Sequence, residues 1–160
     1  MITVKVNGLS ETLRRIEEYK NSVQRKANEL ARRLAEMGAT NVSLMFARAI
    51  YNGKNDFTVT VEDVPTGGYK IVVNGESVAF VEFGAGVTYG YGHPQAAEFG
   101  VGPGTYPDGK GHWNDPKGWW IPKDKGGGHT YGNPPNMPMY NTAADLRTEI
   151  ERVAREVFGA

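Results

Sequence analysis

The sequence predicts an α+β fold: a small, mostly antiparallel sheet of three to four strands, packed by a long N-terminal helix and a C-terminal helix. Three observations carry this reading. Apolar residues Leu9, Leu13, Ile16, Val23, Ala27, Leu30, Leu34 and Met37 recur at steps of three, four or seven, so they share one face of a helix. Residues 57–61, 69–73 and 78–83 then read as three strands in close succession. Finally, Leu146, Ile150, Val153 and Val157 line up at i, i+4, i+7 and i+11 on a last helix. With 160 residues, the chain is long enough for one domain with its own core. That domain divides into a helix-and-strand part (residues 1–83), an extended insertion (84–139) and the helix that completes the core (140–160).

Residues 2–6 alternate apolar and polar as a short strand does, and Asn7-Gly8 ends it. Ser10 is placed to cap the helix that follows. Lys20 interrupts its apolar stripe. At about 28 residues this helix spans about 42 Å, more than a small sheet needs, which leaves packing across the domain's own sheet and contact with a neighbouring subunit both open. Gly38 is expected to break it. Val42, Met45, Phe46 and Ile50 suggest a shorter second helix, closed by Asn52-Gly53. Phe57, Val59 and Val61 alternate with Thr58, Thr60 and Glu62, a turn falls at residues 65–68, and Tyr69, Ile71 and Val73 repeat the alternation. Asn74-Gly75 then reads as a tight hairpin turn into a third strand, Val-Ala-Phe-Val-Glu-Phe. Thr142 and Asp145 have the spacing of a capping box for the last helix.

Composition narrows the function. Eighteen basic and 18 acidic residues balance to zero net charge, whereas a chain that grips nucleic acid by its phosphates is usually basic. The arginines and lysines of residues 14–33 alternate with glutamates as on a solvated helix face. There is no cysteine, hence neither disulfide nor thiolate metal site. No apolar run reaches the roughly 20 residues of a membrane span, and the first residues lack the pattern of a signal peptide. A soluble protein made in a cytoplasm is the expectation.

The insertion is where a function should lie, because long loops without regular structure are uncommon in small domains. It holds all three tryptophans, all three histidines and eight of the nine prolines. His93, His112 and His129, with Asp108, Asp115 and Asp124, supply ligand atoms for a metal, but their spacing matches no metal signature. Histidines that only make hydrogen bonds are the preferred reading, with no cofactor. A sugar-binding surface on Trp119, Trp120 or Tyr131 is an alternative; adjacent tryptophans more often anchor a protein interface. Gly84-Ala85-Gly86 lacks the third glycine of a dinucleotide motif, and no nucleophile or phosphate-loop pattern occurs. Glu82 is a lone carboxylate, expected to accept hydrogen bonds from the glycine amides just after it. No catalytic group stands out, and the chain reads as a non-enzyme.

The order of parts is familiar. "I-x-V-x-V-N-G-L" leads into a long charged helix. "V-A-F-V-E-F-G-A-G", "G-P-G-T-Y-P", "W-N-D-P-K-G-W-W" and "N-M-P-M-Y-N-T-A-A-D-L" follow. This arrangement resembles the neck proteins of long-tailed phages and prophages, the tail-completion or head–tail joining family, often described as minor capsid proteins. The likeness is most specific at residues 80–86 and 138–146. Ala85 stands where family members carry Thr, and Met139-Tyr140 replaces a Pro-Phe-rich helix entry. The resemblance implies a ring subunit, commonly a hexamer, in the neck of the virion. It would join a portal-side connector to the tail tube and let DNA pass through the lumen without sequence-specific binding. A minor capsid component or tail terminator is the alternative within the same class. Its expected interface draws on Glu82, Phe83, Tyr106, Trp113, Trp119, Trp120, Tyr131, Met137, Met139 and Tyr140, with no metal and no membrane contact.

Overall fold

A computed structural model describes residues 8–86, 92–101 and 115–159. The first strand expected at residues 2–6 lies outside them. The described chain runs α1 (Leu9–Ala47), β1 (Thr58–Asp63), β2 (Tyr69–Asn74), α2 (Val78–Phe83), α3 (Ala96–Phe99), β3 (Trp119–Trp120), β4 (His129–Thr130) and α4 (Pro138–Phe158). The class is α+β, with long helices from the two ends of the chain. The sheet differs from expectation. Among the described residues, two separate antiparallel hairpins of two strands each, β1–β2 and β3–β4, stand in place of one sheet of three or four strands.

Gly38 does not break the first helix, which continues as one element of 39 residues, about 58 Å long. A helical glycine costs about 1 kcal/mol against alanine. Here it lets other elements approach closely. A Cβ at this position would collide with Ile71 Cδ1 and come within 2.8 Å of Leu146 Cδ1. The β hairpin and α4 both close onto α1 at that point. Ser10 lies inside the helix and makes no cap; Gly8, in the left-handed region, precedes it. The helix ends before Asn52-Gly53, where the Asn55 side-chain amide donates to the Phe46 carbonyl at 2.6 Å.

β1 and β2 pair with Val59 opposite Val73 and Val61 opposite Ile71, and the expected turn is closed by Val64 and Gly68. Asn74-Gly75 is not a hairpin turn. The chain passes close over Asp56 there and enters α2, so the run from Val78 to Phe83 is a helix, not a third strand. A short apolar run fits either period, and the choice here follows burial. As a helix, it turns Val81 (0% exposed) and Glu82 (5%) inward while Ala79 stays at the surface. Val42, Phe46 and Val81 form the core, with Phe57, Ile71, Val73 and Met139 packed around them. α4 begins at Pro138, four residues before the expected box, and Thr142 is buried against α1, 3.7 Å from Met45 Sδ.

Candidate functional site

α4 starts without a local cap. Met137, its N-cap residue, is held at φ 55° and makes no side-chain capping bond. The cap comes from α2 instead. Glu82 Oε2 accepts from the Met139 N–H at 2.8 Å, and Oε1 accepts from the Tyr140 N–H at 2.9 Å. An anion at a helix N-terminus meets both unpaired amides and the positive end of the helix dipole. Sequence reasoning expected the glycine amides after Glu82 to be its donors. They are not, because helix α2 points the carboxylate toward α4.

His93 completes this group. Its Nδ1 accepts from the Gln95 N–H at 3.1 Å, so that nitrogen carries no proton and Nε2–H donates to Glu82 Oε1, also at 3.1 Å. The ring lies against Phe83 (centroids 4.2 Å apart) and edge-on to Tyr140 (5.5 Å). Phe83 also meets Phe99 of α3 at 5.7 Å. The buried pair thereby ties residues 92–99, the start of α4 and the end of α2 together. Both carboxylate oxygens and both imidazole nitrogens already have partners, which makes the arrangement a staple.

A second group forms around β3–β4. The neighbouring indoles Trp119 and Trp120 face opposite ways, as alternate strand residues do. Trp119 is half-buried and lines a cavity of about 240 Å³ with Tyr51, Phe80, Ile121 and Asn133. Burial, with the Asp56 and Glu76 carboxylates adding to it, pushes the Tyr51 phenol above its ordinary value. Lys125 and Glu76 form an ion pair at the cavity wall, and that bond raises the lysine. Trp120 is 75% exposed and stands edge-on to His129 (5.2 Å), which stands edge-on to Tyr131 (5.0 Å).

The residues picked from sequence therefore fall into two places. Glu82, Phe83, Met137, Met139 and Tyr140 gather at the staple, and Trp119, Trp120 and Tyr131 at the small hairpin. Tyr106 and Trp113 lie outside the described residues, as do His112 and Asp108. Among the described residues, no three His, Asp or Glu side chains converge as a metal site would require, and no helix is long and apolar enough to cross a membrane.

Sequence reading missed two asparagines. Asn133 donates from Nδ2 to the Phe80 carbonyl at 2.8 Å and exchanges backbone bonds with Ala85. Asn136 accepts from the Ile50 N–H at 2.7 Å and donates to the Pro134 carbonyl at 3.0 Å. Their only signal was the Asn-Pro-Pro-Asn string, which leaves two amide side chains beside two residues without an N–H. Gly132, at φ 106°, sits so close to Ala85 that a Cβ would strike its carbonyl.

A scan against protein-family models and searches of curated proteins and of solved structures return no match to this chain.

Proposed function

We propose that this chain is a non-enzymatic structural subunit of an oligomeric assembly. Within that class, the resemblance of its motifs makes it a ring subunit in the neck of a long-tailed phage or prophage virion. There it joins the portal-side connector to the tail tube and leaves a lumen for DNA. A minor capsid or tail-terminator role is the alternative in the same class.

One observation carries the reading. Among the described residues six hydrophobic side chains are buried while thirteen large ones are exposed. Four of the exposed ones, Leu9, Leu13, Ile16 and Val23, share one side of α1. Scattered surface apolar residues are ordinary, but an aligned stripe on a projecting helix, interrupted at Lys20 alone, is what an assembly covers. The staple supports the same reading, since its polar atoms are engaged in holding the fold. A carbohydrate site on the exposed aromatics has less support: Trp120, His129 and Tyr131 stand edge to face, at 72° and 76°, and offer no shared flat platform for a sugar.

The test is native mass spectrometry and negative-stain microscopy of the full chain, alone and with its tail-tube partner. Closed rings, six subunits for the hexamer expected, support the reading. A strict monomer under both conditions ends it.

A further inference from the structure

α4 runs antiparallel along α1 and stops at Phe158. There Lys26 donates to the Phe158 carbonyl at 3.2 Å and lies 5.8 Å above its ring. Residues 9–25 project beyond that point, roughly 25 Å of helix. Leu9, Leu13 and Ile16 sit on it at i, i+4 and i+7 and are 60%, 52% and 58% exposed. On the opposite face of the helix, Glu11 and Glu18 are held by Arg14 and Arg15. Glu17 and Lys20 have no ion pair or side-chain hydrogen bond among the described residues. The projecting helix thus presents three apolar anchors, with Glu17 beside them and Lys20 in line one turn beyond Ile16, neither ion-paired among the described residues.

Elsewhere on the same chain, an open groove of about 680 Å³ runs between α2, α3 and the start of α4. Val73, Val78, Phe83, Phe99 and Met139 line it, and Ala143 and Arg147 stand on its α4 side. Phe99 is 58% exposed at the groove. Arg147 makes no ion pair among the described residues, because Glu151, its natural partner one turn on, is taken by Arg155. Among the described residues, Glu98, beside Phe99, is held only by the Gln95 amide at 3.3 Å. The groove therefore carries an available cation on its α4 side, and the exposed Glu98 carboxylate stands just outside the lining, next to Phe99 on α3.

We propose that the N-terminal stripe of α1 docks into this groove on a second copy of the chain. Leu9, Leu13 and Ile16 enter the floor, Glu17 pairs with Arg147, and Lys20 pairs with Glu98. An amphipathic helix laid in an apolar groove by anchors at i, i+4 and i+7 is an established mode of recognition. The charge match selects this occupant. Because the two surfaces differ, the contact is head-to-tail, and repeated head-to-tail contacts close a ring when the rotation allows. The staple has a part here too: Glu82 and His93 fix the three elements that form the groove, so the receptor surface exists before the neighbour arrives. This contact rests on the self-assembly part of the proposed function and not on its place in a virion.

The test uses the full chain and sedimentation velocity over a concentration series, with circular dichroism to check folding. Leu13→Asp disables the stripe and Ala143→Trp fills the groove; both positions are exposed, so the fold tolerates them. Each variant alone weakens association at least tenfold, while a mixture of the two forms one-to-one dimers and nothing larger, since one good surface of each kind remains. Glu17→Arg and Arg147→Glu each weaken association about three- to tenfold, and combining them in one chain restores it. If the wild type associates but Ala143→Trp associates as well as wild type, the stripe pairs with something else, and this contact is refuted while the assembly reading stands. A wild-type chain that stays monomeric at every concentration and with its tail-tube partner refutes both.

Discussion

Replacing Glu82 by alanine removes the acceptor for three donors at once: the Met139 and Tyr140 N–H groups and His93 Nε2–H. The side chain is 7% exposed and the ring of His93 2%, so water cannot readily take its place. Loss of a helix cap alone costs about 0.5–2 kcal/mol. Leaving buried donors without partners adds about 1–3 kcal/mol. Together these give about 1.5–5 kcal/mol, a large part of the roughly 5–15 kcal/mol that stabilises a domain. Glu82→Gln keeps one acceptor oxygen but turns an NH₂ toward the second amide, and about 2 kcal/mol is expected. Urea denaturation of the full chain, followed by circular dichroism, measures both. A residue kept for catalysis behaves in the opposite way, since removing it often leaves stability unchanged or raised. A cost below about 1 kcal/mol for Glu82→Ala would refute the staple and reopen a chemical role for the pair.

Gly38→Ala would stabilise an exposed helix by about 1 kcal/mol, but here the added methyl meets Ile71 and Leu146, and a net loss of about 1–2 kcal/mol is expected; a rise in melting temperature contradicts the close packing. The two tryptophans should separate: Trp119→Ala lowers the melting temperature of the isolated chain by enlarging the cavity it lines, whereas Trp120→Ala leaves it within about a degree, and equal effects would refute the opposed orientations. Glu29 is lowered by its bonds from Arg33 and then Arg32, and Glu11 by Arg14 and then Arg15, so both bind fewer protons when folded at mildly acid pH. The stability these pairs add is present above the ordinary carboxylate range of about 4 and is lost as pH falls through their lowered values. Denaturation midpoints should therefore drop below about pH 4, less steeply in Glu29→Gln and in high salt; a variant as steep as wild type would count against the pairs.

Periodicity made the two long helices and the β1–β2 hairpin legible, because the apolar spacing of each marks one face of the element. The α1 stripe continues beyond the end of α4, and the charge alternation on the helix became the Arg–Glu pairs at i+3 and i+4. Gly38 could not be read from local sequence. A helical glycine looks like a break unless Ile71 and Leu146, distant in the chain, are known to need its missing side chain. The same holds for residues 78–83. Six residues, four of them strand-forming Val or Phe, became a helix because burying Val81 against α1 and aiming Glu82 at α4 requires a helical turn there. Tertiary structure alone decided the cap of α4: its acceptor lies 57 residues earlier in the chain, and no local box announces it. Sequence, then, determines where apolar faces lie along each element; which polar group meets which helix end is decided only when those faces close on one another, since a buried amide takes whatever acceptor the packing leaves beside it.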